Sequence, residues 1–204
     1  MERIFSGKRG IGMNSTGIKR VVRTFWAWQE DKESKWLEDM SRKGWHLEKV
    51  GFFNYTFREG PPRDYVYRFD FKVIRNKDVD DYKETFKDSG WENIGNLGSW
   101  FYFRGDRSKD PDMELYNDNK SKIEKYKRLL IFLAIITGPG LSWVLPNLYM
   151  RVIDMQADSI LSNPVLFYFY AVFVVIFTLV EIIAVYGIIR ILMIINRLKK
   201  DIRE

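Results

Sequence analysis

At 204 residues, the chain has length for one soluble domain of roughly 100 residues and a small second unit. It contains no cysteine and a single histidine, His46, which excludes disulfides, thiolate catalysis and cysteine-based zinc sites and leaves little for any other metal centre. The net charge of +6 lies mainly in the first 19 residues and beside the apolar runs near the C-terminus, so residues 20–118 are close to neutral and carry no basic stripe for direct nucleic-acid binding.

Residues 1–19, MERIFSGKRGIGMNSTGIK, lack the apolar centre of a signal peptide and read as a flexible basic arm. Anionic lipid headgroups are one destination for such an arm, and a tail without a role is the other. Initiation at Met1 and at Met13 are both compatible with the sequence.

Residues 20–118 form the first domain, and their most informative feature is a duplication. With one constant offset of 46 residues and no gaps, Trp36 falls on Tyr82, Met40 on Phe86, Gly44-Trp45 on Gly90-Trp91, Tyr55 on Phe101, and Phe57-Arg58 on Phe103-Arg104. The first copy opens with an alternating strand, Arg20–Trp28, followed by a helix over Asp31–Lys43 whose apolar positions Trp36, Leu37 and Met40 fall on one face. Gly44 stops that helix in the left-handed conformation that glycine adopts cheaply. Strands at His46–Val50 and Phe52–Arg58 follow, then the turn Glu59-Gly60-Pro61-Pro62. The second copy repeats the grammar with a strand over Tyr65–Ile74, a helix over Asp78–Ser89 ended by Gly90, and strands at Glu92–Gly95 and Ser99–Arg104. The expected fold class is therefore α+β: a duplicated βαββ unit forming one antiparallel sheet of about six strands, with helices on one face.

Residues 119–128 read as a basic helical connector, and residues 129–204 as a two-helix transmembrane hairpin with a basic tail. The run from Leu129 to Met150 is 22 residues without a charge, a helix rise of about 33 Å against a bilayer core of roughly 30 Å. A second run, Pro164 to Ile189, carries only Glu181. The sequence Gly138-Pro139-Gly140 predicts a kink in the first span. Lys120, Lys122, Lys125, Lys127 and Arg128 precede the first span, and Arg190, Arg197, Lys199, Lys200 and Arg203 follow the second. Residues 151–163 carry one arginine against two aspartates. The positive-inside rule then gives a multi-pass protein of the cell membrane with both termini cytoplasmic.

Glu181 and Thr137 each lie nine residues in from the basic flanks, about 13 Å deep on their respective helices. An intramembrane carboxylate is costly and suggests function, here a proton-sensitive or partner-binding contact. The structural alternative is a protonated acid hydrogen-bonded to Thr137, Ser142 or a freed backbone carbonyl to hold the hairpin together.

Six tryptophans lie in the domain. Trp36, Trp45 and Trp91 stand at the repeated helix-to-strand joint and are expected in the core, whereas Trp26 and Trp28 are the candidates for a ligand-binding groove on the other face of the sheet. His46 has no motif supplying a nucleophile or an orienting partner, and Asp78, Asp80 and Asp81 open a helix whose exposed amides they offset. No catalytic residue, metal site or cofactor is expected.

The segments Trp36-Leu-Glu-Asp-Met, Lys43-Gly-Trp-His-Leu, YTFREG, DYVYRFDF, SGWENIG, SWFYFRG and NDNKSKIEKYKRL together resemble domain-of-unknown-function family 2812, over about residues 20–130. The resemblance implies a cytoplasmic domain coupled to C-terminal membrane helices, chiefly in Gram-positive bacteria, and frequent pairing with PadR-type transcriptional regulators. It implies no activity. The functional expectation is a membrane-anchored regulatory or accessory protein whose domain binds a protein partner or ligand at the inner membrane face, with the lipid bilayer as its other partner. The alternatives are a membrane-bound enzyme acting on lipid or envelope substrates, and an immunity or stress protein against membrane-active agents.

Overall fold

The computed structural model describes residues 13–14, 17–116, 118–153 and 164–202. The chain divides into two units, residues 1–118 and 119–204.

The first unit follows the duplicated order. Strands β1 (Met13–Asn14) and β2 (Ile18–Val22) lead into helix α1 (Glu30–Arg42), then β3 (Trp45–Val50) and β4 (Asn54–Glu59). The second copy supplies β5 (Tyr65–Phe71), α2 (Val79–Lys87), β6 (Glu92–Leu97) and β7 (Trp100–Asp106). The sheet thus reaches back to Met13, inside the segment read as an arm, while residues 1–12 lie outside the described residues.

The duplication extends to register. His46 pairs with Arg58 and Glu92 with Arg104, while Leu47 pairs with Phe57 and Asn93 with Phe103. Each hairpin carries an irregularity at the equivalent place, between Leu47 and Lys49 and between Asn93 and Gly95. Gly44 and Gly90 end the two helices at φ +80° and +81°. A side chain on Gly44 would in addition meet the carbonyl of Gly60, so the first copy allows no larger residue there.

Two expectations are corrected. The strands form two antiparallel sheets, in the orders β1-β2-β4-β3 and β5-β7-β6, rather than one of about six strands. The inner edges β3 and β6 run beside each other without ladder bonds. Both carry the repeated bulge, which bends a strand and interrupts pairing. Nor do the helices share one face. Tyr67, Phe69 and Tyr102 from one face of the second sheet join α1 and the first sheet's Leu47, Tyr55 and Phe57 in one core. Val66, Phe101 and Phe103, on the alternate positions, pack with Tyr82 of α2 in another. Sheet two is therefore enclosed on both faces, and β5 is buried at five of its seven positions.

The opening strand is also shorter than expected. Val22 pairs with Asn54, the first residue of β4, so no partner remains beyond it except the bond from the Arg23 amide to the Phe53 carbonyl. The chain then turns into α1.

The second unit consists of α3 (Asn119–Ile153) and α4 (Pro164–Asp201), which pack on one another. The expected connector and first span form one uninterrupted helix, which continues through Pro139 and Pro146. Among the described residues, one stretch, Tyr168–Asp201, is long and apolar enough to cross a membrane.

Candidate functional site

Where β3 and β6 approach, a cleft of about 360 Å³ opens between the two copies of the repeat. Its lining is built from equivalent positions: His46 and Glu92, Leu47 and Asn93, Arg58 and Arg104. Because directly paired strand residues face the same side, His46 projects with its β4 partner Arg58, and Glu92 projects with its β7 partner Arg104.

The two arginines are held differently. Arg58 Nη2 donates to Glu48 Oε1 at 2.6 Å and is largely exposed. Arg104 Nη2 donates to Glu92 Oε2 at 2.6 Å, is mostly covered, and lies 4.6 Å from the ring centroid of Tyr65. Burial works against the charge on Arg104, but the hydrogen bond and charge of Glu92 outweigh it and hold the guanidinium above its ordinary value. The cleft thus presents one exposed cation and one covered cation, each paired with a carboxylate. Such a surface suits a ligand or peptide carrying both signs of charge.

His46 stands in this cleft with both ring nitrogens engaged. Nδ1 lies 2.9 Å from Ser41 Oγ and Nε2 lies 2.9 Å from the Pro61 carbonyl oxygen, and the ring meets Tyr65 edge-on. A carbonyl accepts only, so Nε2 carries the proton and Nδ1 accepts from Ser41. The histidine clamps the β4–β5 turn through Nε2, and its Nδ1 lone pair is occupied by the hydroxyl of the fully buried Ser41.

A second polar cluster lies in the first core. Glu33 of α1 is buried and accepts hydrogen bonds from Tyr55 Oη at 2.7 Å and Tyr102 Oη at 2.9 Å. Burial raises the Glu33 pKa above its ordinary value, the tyrosine bonds pull it down, and Glu30 adds to the rise. Both tyrosines are pushed up by their own burial and by the Glu33 charge. One tyrosine comes from each copy, so Glu33 ties the two repeats together. Nearby, Arg68 bridges Glu38 of α1 at 3.1 Å and Glu114 at 2.6 Å.

Apart from His46, the residues singled out in the sequence lie elsewhere. Trp26 and Trp28 do not project from a sheet. They flank the entry to α1 and stack on each other at 5.4 Å, with Trp26 about half exposed. Trp91 is buried in the second core, and Trp36 and Trp45 pack against the first. Asp78 lies in the turn before α2, and Asp80 and Asp81 occupy its first turn.

In the second unit Glu181 and Thr137 are both buried, yet no hydrogen bond joins them. Thr137 Oγ1 donates to the Leu133 carbonyl, and Ser142 Oγ to that of Gly138, each one turn back on its own helix. Glu181 Oε2 has no partner, and Oε1 presses against the backbone of Gly140, where a side chain would collide with it. The glycine makes room for the carboxyl group that threonine and serine were expected to bind.

The chain matches, over residues 29–137, the family described as protein of unknown function (DUF2812). That is more than half its length. The chain belongs to the DUF2812 family. No curated protein and no solved structure matches it. The family match covers α1, both hairpins, the cleft and the start of α3, so the repeat and the cleft are features of a DUF2812 domain.

Proposed function

We propose that this DUF2812 protein is a membrane-anchored regulatory or accessory protein without catalytic activity, whose N-terminal domain binds a protein partner or ligand at the inner face of the membrane. The observation that carries the anchor is the surface of α4. Val175, Ile176, Leu179, Val180 and Ile182 are all more than half exposed, on a helix that packs on its neighbour along one side only. A water-facing helix with that collar would be an aggregation site, whereas lipid tails are its natural solvent. On this reading the apolar part of α3 completes a hairpin spanning twice, with both termini in the cytoplasm.

The binding assignment rests on the cleft between β3 and β6. Its two arginine–carboxylate pairs offer recognition by charge and hydrogen bonding, and the only hydroxyl its histidine is seen to hold, that of Ser41, is fully buried, which favours binding over acid–base chemistry. The exposed face of the Trp26–Trp28 stack is a second contact surface. The test is affinity purification of the full chain from native membranes, with mass spectrometry of stoichiometric companions. A defined partner lost on Arg58→Glu or Arg104→Glu is the expected result. A chain that purifies alone, or one that keeps its partner in both variants, overturns the assignment to the cleft.

A further inference from the structure

The turn between β3 and β4 exposes two adjacent phenylalanines. Phe52 is 75% and Phe53 66% exposed, in a four-residue turn closed by the Gly51 amide donating to the Asn54 carbonyl at 2.8 Å. Beside it on β2, Val22 is 74% exposed, brought there by its pairing with Asn54. The fold does not require these side chains. At the equivalent place in the second copy the hairpin turns through Gly98 and Ser99, the same two strands being joined with no large apolar group.

Next to this apolar tip the outer surface of sheet one is basic. Val21, Tyr55 and Val50 point into the core, so Arg20, Val22, Thr56 and Lys49 face outward. Arg20 and Lys49 both pair with Thr56 and so flank one position of β4, with both side chains exposed. Farther along the same face stands Arg58, with Glu48 as its ion-pair partner. The acidic first turn of α1 lies on the other side of the sheet. Aromatic side chains at the end of a rigid hairpin, with unscreened cations behind them, match the layered chemistry of an anionic bilayer surface, which is apolar beneath and negatively charged above.

We propose that the Gly51–Asn54 turn is a membrane-docking tip: Phe52, Phe53 and Val22 enter the interface of the bilayer, while Arg20 and Lys49 bind anionic lipid headgroups. Charge complementarity selects the lipid surface over a protein partner. The tether in α3 keeps the domain close to that surface, and to this extent the inference rests on the membrane-anchored reading. Each insertion of the tip would fix the orientation of the domain, and with it the direction in which the cleft opens.

The chain has no cysteine, so single probes can be placed cleanly. The full chain carrying Phe52→Cys, labelled with an environment-sensitive nitrobenzoxadiazole, is reconstituted in vesicles of phosphatidylcholine with and without phosphatidylglycerol. Asp80→Cys, at an exposed site of the other repeat, is the control. Flotation with the vesicles reports the anchor separately, so loss of anchoring and loss of tip insertion are distinguishable. The expected result is a blue shift and intensity gain at position 52 that require phosphatidylglycerol, are quenched by shallow nitroxide lipids, and disappear in Arg20→Glu/Lys49→Glu. A water-like signal at position 52 in floated protein overturns the proposal. So does shielding that is indifferent to lipid composition and nitroxide, which assigns the tip to a protein contact.

Discussion

At the level of single residues, Glu33 concentrates the most consequence in the least sequence signal. It occupies the first turn of α1, where an acid is expected to offset exposed amides. The structure instead turns it inward to accept from tyrosines of both repeats. Nothing local distinguishes it from its neighbours Glu30 and Asp31; only the tertiary placement of Tyr102 does. Its folded pKa is raised above the ordinary 4.5, so between the unfolded and folded values the native state holds a proton that the unfolded chain has released. The stabilisation linked to Glu33 is therefore fully present below the unfolded value and is lost as pH rises through the folded one. Denaturant titrations of wild type and Glu33→Gln, followed by tryptophan fluorescence from pH 4 to 8, should show wild type losing stability relative to the variant as pH increases. A difference independent of pH would refute the assignment.

The paired glycines give a second prediction at this scale. Gly44 and Gly90 were legible from the repeat because a left-handed helix stop has few alternatives to glycine. Alanine at either site costs about 1–2 kcal/mol for its backbone conformation. At Gly44 the new methyl also lies 2.7 Å from the Gly60 carbonyl, whereas at Gly90 its neighbour is the flexible end of Met113 at 3.3 Å. Gly44→Ala should therefore lower the thermal midpoint clearly more than Gly90→Ala, as read by circular dichroism in detergent.

At the level of elements, both helices and all six long strands were readable from periodicity, within a few residues at most ends. The exception is β2, whose alternation runs on to Trp28 although its pairing partner begins only at Asn54. A strand lasts as long as its neighbour, and that length is not written in its own sequence. Likewise the split into two sheets falls between strands that each carry a register shift, and in the first copy no distinctive residue marks it. In the second unit the missed element is the seat of Glu181. The sequence offered the hydroxyls of Thr137 and Ser142 or a freed backbone carbonyl as partners for Glu181, but helical serine and threonine readily satisfy themselves on the preceding turn, as these do. The partner is instead the absent side chain of Gly140. Gly140→Ala forces a methyl into the carboxyl group and within 2.9 Å of Phe177, while Gly138 has open space around its α-carbon. Overpacking costs about 1–3 kcal/mol, so Gly140→Ala should destabilise the helix pair and Gly138→Ala should leave its melting midpoint within a degree or two.

For the whole molecule, the division into a charged, aromatic domain and an apolar helical pair was plain from composition. The cleft was not, although its ingredients were, since Phe57-Arg58 and Phe103-Arg104 are among the strongest matches of the duplication. A repeat announces which residues are equivalent, but not which edges of the two copies meet, and the cleft exists only because β3 and β6 do. The same distinction applies to the proposed membrane arrangement, for which charge asymmetry alone suggests a direction. Five cations at residues 120–128 and the basic end of α4 should remain inside, and the weakly acidic segment 151–163 should cross. Because the native chain lacks cysteine, three single substitutions read this directly: Lys109→Cys, Ser159→Cys and Lys200→Cys. A membrane-impermeant maleimide applied to intact cells should label only the Ser159→Cys protein, and all three after permeabilisation. Labelling of Lys200→Cys from outside would mean that the chain crosses once, which would place α3 along the membrane and leave α4 as the only anchor.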